Sequence, residues 1–596
     1  MKREIFKKYP HLWIGIFYIL AATLSMFSIQ YLILDWKHFV KTSEYKLFLN
    51  ILCCLILYLT ILFITYRPGI SAIISHLLII AIGFADYFVY EFRGNELSFA
   101  DLQSVGTGLS VASKYKFSVN HRCIVVLIVS AMFIWACTRI KVKYTRKKLQ
   151  LKGITFLLIT LSAIIVTLGA DNVNAETWEK KGSYQNGFIL NFVLEVRDSI
   201  VSEPELYSVE AVEELEQQYP EKSEAYSKAQ VDHPTIIVIM NESFCDLKKV
   251  GSFQTNTPVT PFLDSLKENT TRGYALASVY GAKTPNSEWE YLTGNSMAFV
   301  PSGAVVYQQY ISENPSSLIS TLKQEDYTCV AMHPYYETGW SRNTVYPNMG
   351  FDEMHFIEDF DQDKVIREYI TDQEMYDKLI KRFEDKKEDE RLCIFGITMQ
   401  NHGGYVKKYD NFSGKVHKMG TSYSDANQYL SLINESDKAL QNLISYFKTV
   451  EEPVEIVFFG DHQPGLYSKF YKLLNGKGVS GLTLTQLENL YTVPFFIWTN
   501  YDTEEKEIEI SSLNYLSTMT LQKANIDLPA HNQFLADMME QVPALNASGY
   551  YSKQAGGYRH LEDAKGEEAE WIQKYQILQY NSMFDEKNRS NKFFPY

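Results

Sequence analysis

Thr235-Ile-Ile-Val-Ile-Met240 runs without interruption into Asn241-Glu242-Ser243-Phe244. A short apolar run rich in β-branched residues and bounded by polar turn formers reads as a strand buried on both faces. Comparable runs recur at 327–332, 392–397, 455–459 and 494–498, with helical patterns between them at 261–268, 315–324, 372–383 and 424–448. Alternation of this kind predicts an α/β domain with a mostly parallel central sheet. In such sheets the functional side chains collect just beyond the strand C-termini.

That is where the polar clusters of this chain occur. Glu242 follows the first strand, His333 opens the segment that reaches Trp340-Ser341-Arg342, Gln400-Asn401-His402 follows the third, and Gly460-Asp461-His462 follows the fourth. Taken singly, a polar residue after a strand is ordinarily a turn or capping residue, and a lone histidine is usually structural. Three histidines at three strand ends, joined by two carboxylates, exceed what packing requires. The stretch Gly281-Ala-Lys-Thr284-Pro285-Asn-Ser-Glu-Trp-Glu290 adds a hydroxyl at a helix start, with proline suited to the first turn. An isolated threonine there is an N-cap, but the same place favours an oxyanion or phosphate. One divalent cation held by Glu242, Thr284, Asp461 and His462 accounts for the set.

Such a site has definite chemistry. A threonine hydroxyl is a weak nucleophile until a metal lowers its pKa. Arg342 would then offset charge on phosphorus oxygens, and His402 or His333 would protonate a leaving alcohol. A phosphorylated Thr284 passing its group to an acceptor hydroxyl makes a ping-pong transferase.

Outward from this core the composition changes near residue 172, and the net charge of −13 belongs largely to the part after it. Before it, apolar runs occupy 12–34, 47–66, 70–92, 123–137 and 154–169. A span takes ~20 apolar residues, so the first three suffice, while the last two need flanking residues such as Val119 or Leu151. Five spans are expected. Lys2, Arg3, Lys7 and Lys8, and the cluster from Arg139 to Lys152, mark their ends as cytoplasmic. An odd number of spans then puts the large polar part outside the cytoplasm. The first run is too long for a cleaved signal peptide and further spans follow it. The division expected is a transmembrane domain at 1–170, a linker at 171–230, a catalytic domain at 231–540 and a C-terminal extension at 541–596. Segment 91–102 reads equally as an interfacial loop or a plain connector. Small residues at Val173-Asn-Ala175 allow release of the polar part after Ala175. Outside the apolar runs only Cys245, Cys329 and Cys393 remain, and the latter two sit inside strands, so no disulfide scaffold is expected.

Asn241-Glu-Ser-Phe244, Gly281-Ala-Lys-Thr-Pro-Asn-Ser-Glu-Trp-Glu290, Trp340-Ser-Arg342, Asn401-His402 and Gly460-Asp-His462, in this order behind five apolar runs, resemble the lipoteichoic acid synthase family. These are membrane-anchored phosphoglycerol transferases of the alkaline phosphatase and sulfatase superfamily. The resemblance implies that Thr284 is the nucleophile and that Glu242, Thr284, Asp461 and His462 bind one Mn²⁺, or alternatively Mg²⁺ or Zn²⁺. It implies that His333, Trp340, Arg342 and His402 contact glycerophosphate. It further implies a multi-pass protein of the bacterial cell membrane acting in cell-wall synthesis. Its donor would be phosphatidylglycerol and its acceptor a glycolipid, teichoic acid or polysaccharide, with no nucleic acid partner. Tyr335 and Tyr336 stand where the family carries an acidic residue, which bears on glycerol recognition.

Three other readings compete. A phosphoethanolamine transferase would place an aromatic cage or carboxylates around an ammonium, for which Glu337, Tyr335 and Tyr336 are the candidates. Its usual paired cysteines are lacking. A sulfatase-type hydrolase needs Cys or Ser in a Cys/Ser-x-Pro-x-Arg turn, which Thr284-Pro-Asn-Ser-Glu does not supply. A catalytically dead sensor would have lost a ligand, and none is missing.

Overall fold

The computed structural model describes residues 10–33, 43–93, 97, 119–140, 148–170, 182–198, 201–223, 233–301, 303–311, 314–478 and 481–595. The chain divides into two compact units, Met1–Val201 with Pro301–Gly303, and Ser202–Val300 with Ala304–Tyr596.

The first unit is helical: α1 (Pro10–Ile33), α2 (Glu44–Thr65), α3 (Pro68–Arg93), α4 (His121–Thr138) and α5 (Lys148–Ala170). Polar caps start two of them, Ser43 accepting from Lys46 N and Asn120 accepting from Arg122 N and Cys123 N. Four carry stretches long and apolar enough to cross a membrane: Trp13–Ile33, Glu44–Thr65, Pro68–Val89 and His121–Thr138. The expected fifth, α5, spans 23 residues and is not among these four; within it the described apolar stretch is Lys152–Thr167. A buried polar chain ties α1 to α4: Ser25 Oγ lies 2.7 Å from Tyr58 OH and 2.8 Å from His76 Nδ1, and His76 Nε2 lies 2.9 Å from Ser130 Oγ. Between apolar helices such bonds supply much of the side-chain specificity.

Residues 182–198, expected as linker, include α6 (Phe188–Asp198). Leu190 and Leu194 pack with Leu49, Leu52 and Cys53 of α2, and Asn50 donates to Asn186 O at 2.6 Å while accepting from Leu190 N at 3.0 Å. The cleavage point after Ala175 and most of segment 91–102 lie outside the described residues.

In the second unit an eight-stranded sheet forms the centre. Its strands are β1 (Thr235–Asn241), β2 (Thr270–Leu276), β3 (Tyr327–Met332), β4 (Glu353–His355), β5 (Arg391–Ile397), β6 (Val454–Gly460), β7 (Thr492–Thr499) and β8 (Lys506–Ser512). The spatial order is β8-β2-β7-β6-β1-β5-β3-β4. β7 runs antiparallel to β2 and β6, and the other neighbouring pairs are parallel. β1 and β6 are buried along their whole length, as parallel strands covered on both faces must be. Around the sheet lie α7 (Thr284–Thr293), α8 (Arg342–Met349), α9 (Asp372–Glu384), α10 (Ser424–Phe447), α11 (Leu513–Lys523) and α12 (Gly566–Phe584). The C-terminal residues join this core through Tyr575, Leu578, Phe593 and Phe594. All seven cysteines are free and buried.

Candidate active site

β1 and β6 are adjacent and parallel, and Asn241 pairs with Gly460 at their ends. Glu242 therefore emerges beside Asp461 and His462, and one ligand atom from each lies within 4.8 Å of the others. The two loops interlock. Ser243 N donates to Asp461 Oδ1 at 2.6 Å, and Ser243 Oγ donates to Glu242 Oε1 at 2.8 Å. A Cβ at Gly460 would stand 1.8 Å from Phe244 O, so only glycine allows the approach.

The donor set fits a divalent cation. Two carboxylates and an imidazole converge, all nearly fully buried. Asp461 Oδ2 is buried with no hydrogen-bond partner, and 3.2 Å from His462 Nε2. His462 Nδ1 lies 2.9 Å from Gln463 O, an acceptor, which puts the proton on Nδ1 and leaves Nε2 as a ligand atom. Burial, partly offset by His462, pushes the Asp461 carboxyl up to about 7, a cost that a bound cation would remove.

α7 delivers the hydroxyl. Gly281 and Lys283 hold φ values of 67° and 70°, turning the chain so that Thr284 opens the helix with Pro285 in its first turn. Gly294 in the left-handed region ends it. Thr284 Oγ1 lies 3.4 Å from Glu242 Oε2. One turn on, Ser287 Oγ donates to Asp461 O at 2.7 Å, fixing the helix to the ligand loop. Beyond it, Glu290 Oε1 accepts from Ser278 Oγ at 2.6 Å and Met297 N at 2.9 Å.

The residues expected at a phosphate group are placed less simply. Arg342, 1% exposed, is held by Glu288 of α7: Nε donates to Oε2 at 3.2 Å and Nη2 to Oε1, while Tyr346 OH donates to Oε2 at 2.8 Å. Trp340 and Ser341 just before it both occupy left-handed backbone, at φ 57° and 60°. Two consecutive non-glycine residues in that region cost on the order of 1–3 kcal/mol each, and such strain clusters at functional sites. His333 lies buried 3.2 Å from Ile397 O through Nδ1, and burial together with Arg342 holds its pKa well below the usual range.

His402 has partners that the sequence did not point to. Its Nδ1 lies 3.0 Å from Tyr369 OH, and its carbonyl accepts from Arg367 Nη2 at 2.6 Å. Arg367 also donates to Gln400 O at 2.8 Å and lies 5.3 and 5.5 Å from the ring centroids of Tyr369 and Tyr405. Burial lowers the His402 pKa, and Glu242 pulls the other way. Asp372 closes the floor: its Oδ2 accepts from Asn241 Nδ2 at 2.9 Å and Ser436 Oγ at 2.6 Å, and Asn401 Nδ2 bonds Asn241 Oδ1 at 2.9 Å. The residues before Glu242 and His402 are thus locked together. Burial pushes Asp372 up to about 6.

The Sulfatase family model matches residues 234–527, the stretch that holds every one of these residues. The chain carries a sulfatase-family domain. A Rhizobium meliloti (strain 1021) protein named for cyclic beta-1,2-glucan modification is 26% identical over 435 residues, covering 70% of this chain and 65% of its own length. Lipoteichoic acid synthase 1 of Bacillus subtilis (strain 168) is 26% identical over 243 residues, covering 39% of this chain and 36% of its own length. The chain thus spans less than two thirds of either relative. Among solved structures, the Streptococcus pyogenes phosphoglycerol transferase GacH in complex with sn-glycerol-1-phosphate superposes with a TM-score of 0.54 at 20% identity, over 66% of this chain and 99% of that one. At that identity the likeness concerns the fold of the sulfatase-family domain.

Proposed function

We propose that this chain is a metal-dependent phosphoglycerol transferase that takes glycerophosphate from phosphatidylglycerol. The observation carrying this reading is a threonine hydroxyl at a helix start, 3.4 Å from one carboxylate of the Glu242, Asp461 and His462 cluster, in a chain with long apolar N-terminal helices. Glu242, Asp461 and His462 would hold a divalent cation, Mn²⁺ by preference, which would lower the pKa of the Thr284 hydroxyl and take up charge on the phosphorus oxygens.

Thr284 Oγ then forms a bond to phosphorus as the bond to the diacylglycerol oxygen breaks, and the Thr284 proton passes to solvent. With the Tyr369 hydroxyl donating to Nδ1, His402 carries its proton on Nε2 and gives it to the departing oxygen. His333, protonated on Nδ1 against Ile397 O, presents Nε2 as an acceptor for a glycerol hydroxyl. Trp340 and Arg342 flank the group, with Arg342 kept charged by Glu288. In the second half, an acceptor hydroxyl attacks the phosphorylated Thr284 and loses its proton to His402. Glycolipid, teichoic acid or surface polysaccharide supplies that hydroxyl. With α5 completing a fifth span, the domain works outside the cytoplasm of a bacterial cell.

The test is release of diacylglycerol from labelled phosphatidylglycerol by the full chain in detergent or membranes. Release that stops in Thr284→Ala, with glycerophosphate recovered on an added glycan or glycolipid, is the expected result. Release from phosphatidylethanolamine alone overturns the donor, water as the sole acceptor makes the protein a hydrolase, and unchanged release by Thr284→Ala overturns the mechanism.

A further inference from the structure

Three acid-free segments of the second unit lie against one another, with Asp246, Asp264 and the buried Asp425 at their borders. Segments 248–263, 411–424 and 465–487 contain neither aspartate nor glutamate, although the chain as a whole carries a net charge of −13. They assemble on one another. Met419 N donates to Gln254 O at 2.8 Å and Asn256 N to His417 O at 3.1 Å, joining the first two segments. Phe470 of the third packs against Phe253 at 5.9 Å and Tyr423 at 5.2 Å between ring centroids. A Cβ on Gly251 would stand 2.2 Å from Leu474 O, so the first segment lies directly on the third.

What this face shows to solvent is basic and apolar. Lys248, Lys249, Lys415, Lys469, Lys472 and Lys477 are exposed. They stand apart from the ion pairs that other lysines of this unit form with acidic neighbours. The helix Ser468–Asn475 buries Phe470 and Tyr471 and turns Lys469, Lys472 and Leu473 outward. Leu473, Tyr467 and Met419 are each about half exposed. Lys249 Nζ lies 3.9 Å from the Tyr274 ring centroid. A single exposed apolar residue is ordinary, but three set among exposed lysines outside those ion pairs make the pattern of an interfacial surface.

We propose that this face docks on a bilayer containing anionic phospholipids. The lysines complement the negative headgroup layer, each adding to attraction within a Debye length, while Leu473, Tyr467 and Met419 reach the acyl boundary. A polyanionic glycan would satisfy the lysines but gains little from exposed leucine and methionine, which is why a lipid surface is favoured. The face also adjoins the reaction centre. Tyr471 OH donates to Pro464 O at 2.6 Å, two residues past His462, and Tyr280 beside Gly281 bridges to Gln463. Docking there would bring a phospholipid headgroup to the metal cluster. The proposal draws on the apolar helices of the chain and stands whichever phospholipid is the donor.

Since every native cysteine is buried, a Leu473→Cys variant of the full chain takes a thiol-reactive fluorophore selectively. In nanodiscs of phosphatidylcholine with phosphatidylserine, which is anionic and outside the candidate donors, doxyl lipids should quench the label. Quenching should fall at least about fivefold, the loss of roughly one lysine contact, in phosphatidylcholine alone, at raised salt, or in the K469E/K472E/K477E background. The salt arm uses the lysines as they are, so misfolding of the triple variant leaves the test intact. Quenching equal in neutral and anionic discs, or none in anionic discs, overturns the proposal. Shielding of the label only when an anionic polysaccharide is added to neutral discs also overturns it and assigns the face to the glycan.

Discussion

Arg342 and Glu288 form a two-point ion pair sealed from solvent, their side chains 2% and 0% exposed. Glu288 stands one turn after Thr284 on α7, so the pair couples the helix of Thr284 to the segment that carries Trp340. The sequence marks Arg342 as a phosphate contact, but two edges of its guanidinium are committed to Glu288 and Nη1 donates to Gly339 O at 3.3 Å. Arg342 thus sets the place of the strained Trp340 turn relative to Thr284.

Removing Glu288 leaves a buried guanidinium without its carboxylate, a change that costs about 3–5 kcal/mol. Glu288→Gln should lower the melting temperature of the full chain in detergent and reduce diacylglycerol release. Glu288→Gln with Arg342→Met should melt higher than Glu288→Gln alone, because the uncompensated charge is gone, while release stays low. A single variant that melts like the parent would show that the pair carries no stability.

Metal binding has a thermal readout independent of turnover. A ligand bound only by the folded state at a hundredfold excess over Kd adds about 2.7 kcal/mol. Chelation should lower the melting temperature, Mn²⁺ should restore it, and Asp461→Asn should abolish the increment by removing the unpartnered Oδ2. An identical Mn²⁺ increment in Asp461→Asn would place the ion elsewhere.

Glu290 gives a pH dependence of known sign. Burial raises its carboxyl from 4.5 to about 7. The stability it contributes is therefore full below about pH 4.5 and is lost as pH rises through about 7, amounting to roughly 3 kcal/mol by pH 8. Glu290→Gln keeps an acceptor for Ser278 Oγ and Met297 N but cannot ionise. Its melting temperature should fall less steeply than the parent's between pH 5 and 8. Parallel curves would mean that Glu290 keeps its charge or is relieved by water.

What the sequence carried well was whatever burial and chain continuity dictate. β1 and β6 read as strands because their apolar residues are contiguous, and Glu242, Asp461 and His462 follow them directly. β2, β4 and β8 escaped: Thr270-Thr-Arg-Gly-Tyr reads as polar loop, Glu353-Met-His is too short, and in Lys506-Glu-Ile-Glu-Ile the charges of an outer strand mask a period of two. Helix α6 escaped because its partners on α2 lie about 140 residues away. The fifth run reads from the sequence as a short one that needs flanking residues, and the described apolar stretch of α5, Lys152–Thr167, is short as well. Around the reaction centre, Glu288 was visible within the Thr284 stretch, yet nothing local paired it with Arg342. Arg367 and Tyr369 reach His402 across more than thirty residues, with a left-handed φ of 61° at Arg367 as the only backbone mark.

That pair makes the last prediction. If Tyr369 fixes the tautomer of His402, Tyr369→Phe removes one hydrogen bond to Nδ1 and lets the proton move off Nε2. The loss of about one hydrogen bond, on the order of 1.4 kcal/mol, corresponds to about tenfold in kcat. KM should be unchanged, because Tyr369 acts through the imidazole. The defect should disappear in a His402→Gln background, where no tautomer remains to be fixed, so the two changes are strongly non-additive. Arg367→Lys should show the same epistasis, since its Nη2 holds the carbonyls of Gln400 and His402 that aim the ring. A Tyr369→Phe defect of equal size with and without His402 would show that Tyr369 serves local packing and leaves the proton on His402 unguided.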